Sequence, residues 1–487
     1  MQIQKIIDNK LFYLFLLLVF FVAVFFRIMV LLDNRPFWHD EAPVALTVIN
    51  NSFLDMYNNI VDFQKAPFLF WAFSKWTTNI FGISELSFRL YPFICSIISI
   101  FIFYSFSCQF LEKKSTIIIA NFLFAINFQL LYFAQELKQY SSDILFFMLS
   151  LLFFSRIINY EFNIKKALIV IVYSVLMTLL SFPSCFVVAA FLILKIFKLK
   201  KTEIFNMIFF ILSLLVFGSI YYFVFLFDKY NHELNYLADY WQSGFLSINN
   251  FYSIFESLYL YFFKPNISFF MYIPLFLYGF YLISKEKRTI FPIVLVSLLI
   301  VILSSVLAFY PLFERVAVYL IPLFIVFSIK PFDVIKGKSL KNILIIGFSL
   351  LSFSAYFDGN YYERILSKEP FLQWDAKESL LFIKDNYKEK DVILINESSY
   401  REYQYYSRAI NFHPEEIYRF SYRYKTKEEF YNYINNLDLN KKYWFYLPFV
   451  GSDNQEQKWL KDWRNKNLNK VVKEYKKQKS YVIKISK

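Results

Sequence analysis

The sequence predicts a polytopic α-helical membrane protein with about eleven transmembrane helices and a C-terminal extracytoplasmic α/β domain. The first observation is composition: the 487 residues are 57% hydrophobic and only 18% charged. Soluble domains are about 45–50% apolar and about 25% charged. The second observation is that apolar residues form long blocks, and the third is that charge is concentrated near the C-terminal end. Together these observations exclude an ordinary soluble enzyme and a disordered chain.

The charge distribution divides the chain into two predicted domains. Residues 357–487 contain 25 Lys or Arg and 19 Asp or Glu, which is about a third of the segment, as in a soluble domain. Residues 1–356 carry the long apolar blocks and are predicted to form a transmembrane domain. Within it, residues 33–85 are predicted to be a long first outer loop.

The apolar blocks set the predicted number of membrane spans. A transmembrane helix needs about 20 apolar residues. Between 166 and 199, the segment Ser181–Ser184 indicates either a turn between two spans or a kink in one segment. Counted as two spans, the predicted set is 11–32, 86–108, 115–133, 141–158, 166–181, 183–199, 204–227, 266–284, 289–309, 316–330 and 340–356.

The distribution of charge between the blocks predicts the orientation. With eleven spans and a cytoplasmic N-terminus, 18 of the 27 basic residues before position 357 fall inside and 9 outside. Cytoplasmic loops of membrane proteins carry such an excess of Lys and Arg. The prediction is therefore a multi-pass plasma-membrane protein with its C-terminal domain outside. The net charge of +14 indicates contact with membrane lipid rather than nucleic acid, for which the chain has no motif.

The C-terminal segment alternates between helix and strand patterns. This alternation predicts an α/β domain, and the absence of a phosphate-binding Gly loop favours an accessory or acceptor-recognising role. The predicted helices are 375–387, 427–436 and 455–464, and the predicted strands are 392–395, 443–447 and 481–485.

Two adjacent carboxylates, Asp40 and Glu41, directly follow the first span. Partial desolvation at a membrane interface raises the pKa of a carboxylate and makes it a better base. A base at this position could take a proton from an incoming hydroxyl or amine. The alternative is structural, with Asp40 capping a helix that begins at Glu41 or Ala42.

Other charged residues lie at the predicted outer ends of the spans. Lys65 could hold a phosphate as a point charge, or it could be an ordinary Lys that reaches towards the interface. Arg89 lies one turn inside a span, where a charge must face protein or water. Each of these groups could be only an interfacial ion pair, but all fall on one side of the predicted bundle. The remaining candidates are Glu136, Lys138, Tyr140, Glu314 and Arg315.

In order along the chain, these motifs resemble the GT-C membrane glycosyltransferases of the family 39-like group. That group includes protein O-mannosyltransferases, the lipid A aminoarabinose transferase and bacterial RgtA/B/C/D-like enzymes. The resemblance is densest over about residues 30–145, and the tail from Ala376 to Leu394 is also similar to bacterial members. The matching motifs are Trp38–Ala42, Gln64–Pro67, Phe81–Glu85 with Phe88–Leu90, Ala134–Glu136 with Tyr140, and Arg315 to Pro322.

The resemblance implies a glycosyltransferase that uses a polyprenyl-phosphate-linked sugar at the outer face of the membrane. Direct attack by the acceptor on the face opposite the phosphate predicts inversion at the anomeric carbon. The acceptor would be a cell-envelope glycan, lipid or protein. Asp40 matches the family's catalytic acidic position and Glu41 the adjacent one. Lys65 matches a basic position associated with the donor phosphate, although many members have Lys-Pro-Pro or His-Pro-Pro where this chain has Lys65–Pro67.

The remaining assignments follow from the same resemblance. Arg89, Lys138 and Arg315 are assigned with Lys65 to the donor phosphate. Some GT-C relatives use a divalent metal at the acidic motif, so a metal stays open here, but two adjacent carboxylates are too few ligands to predict one. The residues assigned to substrate binding are His39, Glu136, Tyr140 and Glu314.

Three other classes of protein compete with this prediction. A lipid-linked sugar flippase or transporter would have internal repeats and charges near the bilayer midplane, whereas the charges here lie at the outer interface. A polysaccharide polymerase is also polytopic, but the outer α/β tail and the Asp-Glu position argue against it. A structural or sensor protein would fit if Asp40 were only a helix cap.

Overall fold

The structure is a computed structural model that divides into two compact units. It describes residues 2–53, 55–57, 59–225, 242–263, 269–312, 314–335, 337, 347, 375–420, 426–438, 440–448, 455–477 and 480–486. The helical unit comprises Met1–Asp33, Lys65–Gly82 and Leu86–Ser367. The sheet unit comprises Asn34–Gln64, Ile83–Glu85 and Lys368–Lys487.

Helices account for most of the first 335 residues. Helix α2 belongs to the sheet unit, and the others belong mainly to the helical unit. In chain order they are α1 (Gln2–Leu32), α2 (Ala42–Asn50), α3 (Phe68–Phe81), α4 (Glu85–Ser107), α5 (Lys114–Ile126), α6 (Phe128–Phe133), α7 (Tyr140–Ile157), α8 (Ile164–Leu180), α9 (Ser184–Phe197), α10 (Ile204–Phe225), α11 (Phe251–Phe263), α12 (Phe269–Lys285), α13 (Ile290–Val306), α14 (Ile321–Ile329) and α15 (Pro331–Val334).

The apolar helices identify a multi-pass membrane protein. Large apolar side chains such as Phe21 and Phe205 are 67% and 74% exposed on α1 and α10, as expected for helices that face lipid. Among the described residues, four segments are long and apolar enough to cross a membrane: Asn9–Leu32, Glu85–Ser107, Tyr140–Ile157 and Lys201–Phe223. Shorter apolar helices occupy Lys114–Ile126, Ser184–Phe197, Ile273–Lys285 and Ile290–Val306.

The number of eleven spans stays a prediction. The last predicted span, 340–356, lies outside the described residues except for Gly347. The segment 166–199 forms two helices, because Ser181 between them is extended, with φ −159° and ψ 122°. The expected single helix over 115–133 is wrong: Asn127 leaves the helical conformation, and its side chain accepts a hydrogen bond from Leu130 N at 3.2 Å, which caps α6.

The sheet unit has a mixed α/β core. All six predicted tail elements are confirmed, and α17, β2 and β4 are additional. The elements are α16 (Ala376–Asn386), β1 (Asp391–Asn396), α17 (Tyr400–Ala409), β2 (Glu416–Phe420), α18 (Lys427–Asn435), β3 (Lys442–Leu447), α19 (Gln455–Lys466), β4 (Val471–Lys477) and β5 (Ser480–Ser486).

The described strands form a sheet in the order β2-β1-β3-β5-β4. Strand β1 is parallel to β2 and β3, whereas β5 is antiparallel to β3 and β4. Apolar side chains from the central strands, including Leu394, Phe445 and Ile483, are fully buried or nearly so. The pairing of β1 with β3 places the C-terminal ends of two parallel strands beside the segment that leads into α17.

Candidate functional site

The acidic motif lies in the sheet unit, in the connection between α1 and α2. Asn34 turns the chain with a positive φ of 43°, a conformation that Asn tolerates better than most residues. Glu41 is fully buried, and its Oε2 lies 3.5 Å from Nη2 of Arg35, whose side chain is 2% exposed. Asp40 is also buried. The motif is therefore largely removed from solvent.

The helix that follows the motif tests the capping alternative. Helix α2 begins at Ala42, so the N-cap residue is Glu41 and not Asp40. Within this described segment, the Glu41 side chain makes no capping hydrogen bond. Pro43 lies in the first turn, where backbone N–H groups have no partner within the helix, so its missing N–H costs nothing and its fixed φ favours the start of the helix. Asp40 is therefore not the N-cap residue of α2.

Helix α17 holds the chain on the N-terminal side of the motif. Tyr406 Oη accepts a hydrogen bond from Phe37 N at 2.6 Å, and the rings of Phe37 and Tyr405 have centroids 4.9 Å apart. His39 Nδ1 lies 2.8 Å from the backbone oxygen of Ser398. Because a carbonyl oxygen can only accept, His39 donates this hydrogen bond through Nδ1. The C-terminal domain therefore orients the residue that precedes Asp40.

Two further contacts hold the C-terminal side of the same segment. Arg401 donates two hydrogen bonds to Asp62, Nε to Oδ2 at 2.8 Å and Nη2 to Oδ1 at 2.6 Å. Arg408 Nη1 donates to Asn50 Oδ1 at 2.6 Å. Bidentate Arg–carboxylate pairs fix orientation as well as distance. Residues 34–64, which we call the acidic segment, are thus bound along the length of α17.

Glu402 is a buried carboxyl that the sequence analysis did not select. It lies on α17 with no exposed surface, and neither carboxyl oxygen is hydrogen-bonded to another residue in the described ranges. Burial raises the pKa of Glu402 to about 7; His39 and the backbone N–H of Glu402 itself oppose this, whereas Asp40 and Asp62 add to it. No sequence signal distinguishes Glu402 from the other charged residues of the tail.

In the helical unit, Lys65 and Arg89 occupy different environments. Lys65 lies before α3 and is exposed. Its backbone oxygen accepts a hydrogen bond from Gln139 Nε2 at 3.4 Å, which brings the start of α3 beside the turn that precedes α7. Arg89, in the first turn of α4, is 1% exposed. Its burial agrees with the expectation that this charge faces protein rather than lipid.

The turn between α6 and α7 carries three of the predicted site residues. Glu136, Lys138 and Tyr140 are all buried, although Lys and Glu are rarely buried in proteins. The ring of Tyr140 packs edge-on against Phe133, with centroids 4.6 Å apart. Since Gln139 in the same turn reaches Lys65, the structure brings these residues near one another in one part of the helical unit.

Glu314 and Arg315 lie between α13 and α14. Both are half-buried. Glu314 Oε1 accepts a hydrogen bond from Ser257 Oγ of α11 at 2.8 Å. This contact gives Glu314 a structural partner, and the structure does not test its assignment to substrate binding.

Asp143, in the first turn of α7, is a second buried carboxyl that the sequence analysis did not assign to the site. It is 4% exposed, and its Oδ1 has no hydrogen-bond partner in the part of the chain that the structure describes. One turn along α7, Phe147 packs edge-on against Tyr319, with ring centroids 4.8 Å apart. The signal was present in the sequence, since an acidic residue inside an apolar helix is expensive to bury.

Asp40 and Glu41 are the two carboxylates that the acidic motif offers to a divalent metal. Within the described ranges, no group of three or more His, Cys, Asp or Glu residues is placed to hold a metal ion. Divalent cations such as Ca²⁺ take six to eight oxygen ligands and Mg²⁺ about six.

Comparison with solved structures identifies the architecture. No family model and no curated protein matches the sequence. The structure of ArnT from Cupriavidus metallidurans in the apo state matches with a TM-score of 0.52 at 9% identity, covering 99% of this chain and 98% of ArnT. ArnT is a lipid A aminoarabinose transferase with the GT-C fold. The chain has the GT-C fold.

The fold assignment rests on ArnT, and two further solved structures also match the chain. ArnT bound to undecaprenyl phosphate matches with a TM-score of 0.51 at 9% identity, covering 98% of this chain and 97% of that one. An oligosaccharyltransferase from Archaeoglobus fulgidus, in complex with zinc and sulfate, gives a TM-score of 0.46 at 14% identity, over 89% of this chain and 68% of that one. At these identities the likeness concerns the GT-C fold alone.

Proposed function

We propose that this GT-C protein is an integral membrane glycosyltransferase. It moves a hexose or pentose from a polyprenyl-phosphate-linked donor to a cell-envelope glycan, lipid or protein acceptor, with inversion at the anomeric carbon. The observation that carries the proposal is the full-length match to ArnT, including the form bound to undecaprenyl phosphate. The buried Asp40–Glu41 motif supports it, because burial of two carboxylates costs stability that a structural role as a helix cap does not explain.

In the proposed reaction Asp40 is the general base. It takes the proton of the acceptor hydroxyl while the acceptor oxygen forms a bond to the anomeric carbon. The bond between that carbon and the phosphate oxygen breaks on the opposite face, and its electrons leave with the polyprenyl phosphate. Glu41 pairs with Arg35, and this ion pair is proposed to hold the neighbouring Asp40 in position. Attack opposite to the leaving group inverts the anomeric centre.

The leaving phosphate requires positive charge. Lys65, Arg89, Lys138 and Arg315 are proposed to stabilise the phosphate, since preorganised cations aimed at developing charge lower the barrier. Lys65 is the candidate best suited to a diffusing lipid-linked donor, because its side chain is exposed. The proposed substrate-binding residues are His39, Glu136, Tyr140 and Glu314.

The Lys65→Ala variant is expected to weaken donor affinity by about tenfold, because hydrogen bonds to charged groups are worth about 1.5–3 kcal/mol and Lys65 is exposed. Lys65→Arg should restore part of the affinity, although its planar group differs in geometry. The measurement is equilibrium binding of polyprenyl phosphate to purified protein. Lys75→Ala, which removes the same charge from α3, is the matched control. Equal affinities in wild type and Lys65→Ala would transfer the role to Arg89, Lys138 or Arg315.

The proposal places the C-terminal domain on the extracytoplasmic side of the plasma membrane. Asn469 is exposed in a short turn before β4, so a Cys at this position should be accessible to solvent. We expect Asn469→Cys to react with an impermeant thiol reagent in intact cells or spheroplasts, with the parent protein as control for Cys95, Cys108 and Cys185. Labelling only after the inner membrane is lysed would place the domain inside.

The direct test of function is an assay with labelled polyprenyl-phosphate sugar and purified full-length protein in lipid nanodiscs. Transfer to an acceptor, or slow hydrolysis of the donor, is expected. A flippase or transporter would instead move intact donor between leaflets of a liposome without cleaving it. A polymerase would extend a glycan chain and not stop after one addition. Intact donor after prolonged incubation with envelope acceptors would refute the transferase proposal.

A further inference from the structure

The face of α17 that binds the acidic segment also carries Glu402. Tyr406, whose side chain contacts Phe37, lies four residues after Glu402 on α17, so the two side chains share one face of the helix. Ser398, just before α17, holds His39 through its backbone oxygen. Glu402 interacts electrostatically with His39 and Asp40, so it lies beside this part of the acidic segment. Helix α17 also packs directly against α2, which follows the motif.

The charged and titratable groups that interact with Glu402 come from the acidic segment and from β3. His39 and Asp40 approach from the acidic segment, and Asp62 approaches from its other end, where Arg401 pairs with it. Tyr446 approaches from β3 and is buried. Of these groups, His39 favours the charged form of Glu402, while Asp40 and Asp62 favour the neutral form. A buried carboxyl without a hydrogen-bond partner is far less costly as the neutral acid than as the anion.

We propose that Glu402 is a positioning residue for the Asp40–Glu41 motif. While Glu402 is neutral, the acidic segment stays docked on α17, and when Glu402 ionises, the docking loosens. The part that concerns catalysis rests on the proposed function, whereas the docking itself does not. Glu402 would act through the position of residues 37–41 and would not touch the substrate.

The direction of the pH dependence follows from the environment of Glu402. Burial raises its pKa from an ordinary value of 4.5 to about 7 in the docked state. When the segment opens, Glu402 becomes solvated and loses its proton at lower pH. Docking is therefore fully favourable below about pH 4.5 and weakens as the pH rises towards 7. With one proton involved, the opening equilibrium rises by up to about tenfold per pH unit in that range.

The experiment is hydrogen exchange by mass spectrometry on full-length protein in nanodiscs, from pH 5 to pH 8, following peptides from 37–50. In wild type, protection corrected for intrinsic exchange should fall by up to about tenfold per pH unit between pH 5 and 7. Glu402→Gln cannot ionise and should abolish this slope. Glu402→Met, also unable to ionise, gives a second variant should the buried amide disturb folding. Glu397→Gln is the matched control, because Glu397 lies just before α17, is exposed and pairs with Arg419.

Activity provides a second readout that a purely structural role would not change. We expect the alkaline side of the pH–rate profile to move upward by about one pH unit in Glu402→Gln, with the KM for donor unchanged. A wild-type exchange slope in both Glu402 variants, or the loss of the slope in Glu397→Gln, would overturn the inference. If the slope depends on Glu402 but wild type cleaves no donor, the docking inference stands and the proposed function fails.

Discussion

Asp40→Asn is expected to lower the rate of sugar transfer by about 10²–10⁴-fold, which corresponds to about 3–5 kcal/mol of activation free energy. Asn keeps the size of the side chain and most of its hydrogen bonding, but it cannot accept the acceptor's proton. The measurement is the single-turnover rate with labelled polyprenyl-phosphate sugar, at saturating donor. Donor affinity should stay close to that of wild type, because the loss concerns the chemical step.

A matched substitution separates this effect from a general loss of carboxylate charge. Asp55 lies in the same acidic segment, is exposed, and accepts a hydrogen bond from Ser52 Oγ. Asp55→Asn should therefore transfer sugar at the wild-type rate. Near-normal transfer by Asp40→Asn, at normal abundance in the membrane, would remove Asp40 as the base.

Glu41→Gln is the companion variant, because adjacent carboxylates can exchange roles. Glu41 is fully buried near Arg35, so the variant also weakens an ion pair and its stability must be measured alongside its activity. A folded Glu41→Gln protein with normal transfer would leave Asp40 as the more important carboxylate. Normal transfer by both variants would end the general-base hypothesis at this motif.

The sequence predicted the elements whose apolar patterns are strong. The long blocks predicted membrane helices, and short apolar runs in a segment that alternates between helix and strand patterns predicted β1, β3 and β5. Helix α17 was missed because its buried face consists of Tyr403, Tyr405 and Tyr406 among charged residues, without the aliphatic periodicity that marks a helix. Strands β2 and β4 were missed because they are edge strands with exposed or charged positions, as such strands commonly are.

The site was predictable in its residue types more than in its partners. Asp40 and Glu41 are identifiable because charge beside an apolar span is costly. Their supports are not, since Phe37 and Tyr406 are 369 residues apart and only the fold brings them together. The same distance along the chain hid Glu402. The structure thus assigns the tail a specific role, the binding of the acidic segment, that the general expectation of an accessory domain did not contain.

Lys484→Met is expected to lower the free energy of opening of the C-terminal sheet by about 3–5 kcal/mol. Lys484 on β5 and Asp391 on β1 form a buried ion pair in which each side chain is 3% exposed. Trp444 Nε1 and Lys388 N also donate to Asp391 Oδ2, at 3.1 and 2.9 Å. Without Lys484 the Asp391 carboxylate stays buried with neutral donors only. Hydrogen exchange of β1, β3 and β5 peptides in the full-length protein measures the loss.

Two controls show whether burial, and not the loss of a Lys, causes the effect. Lys427 pairs with Asp462 at 2.6 Å on the surface, so Lys427→Met should leave exchange in the sheet unchanged, because solvent screens such pairs. Adding Asp391→Asn to Lys484→Met should recover part of the stability, since Asn removes the buried charge and still accepts from Trp444 and Lys388. Equal exchange in wild type and Lys484→Met would mean that the ion pair contributes little more than the cost of its own desolvation.

Because the acidic segment is bound by α17 in the same unit, a destabilised sheet should also reduce protection at residues 37–50.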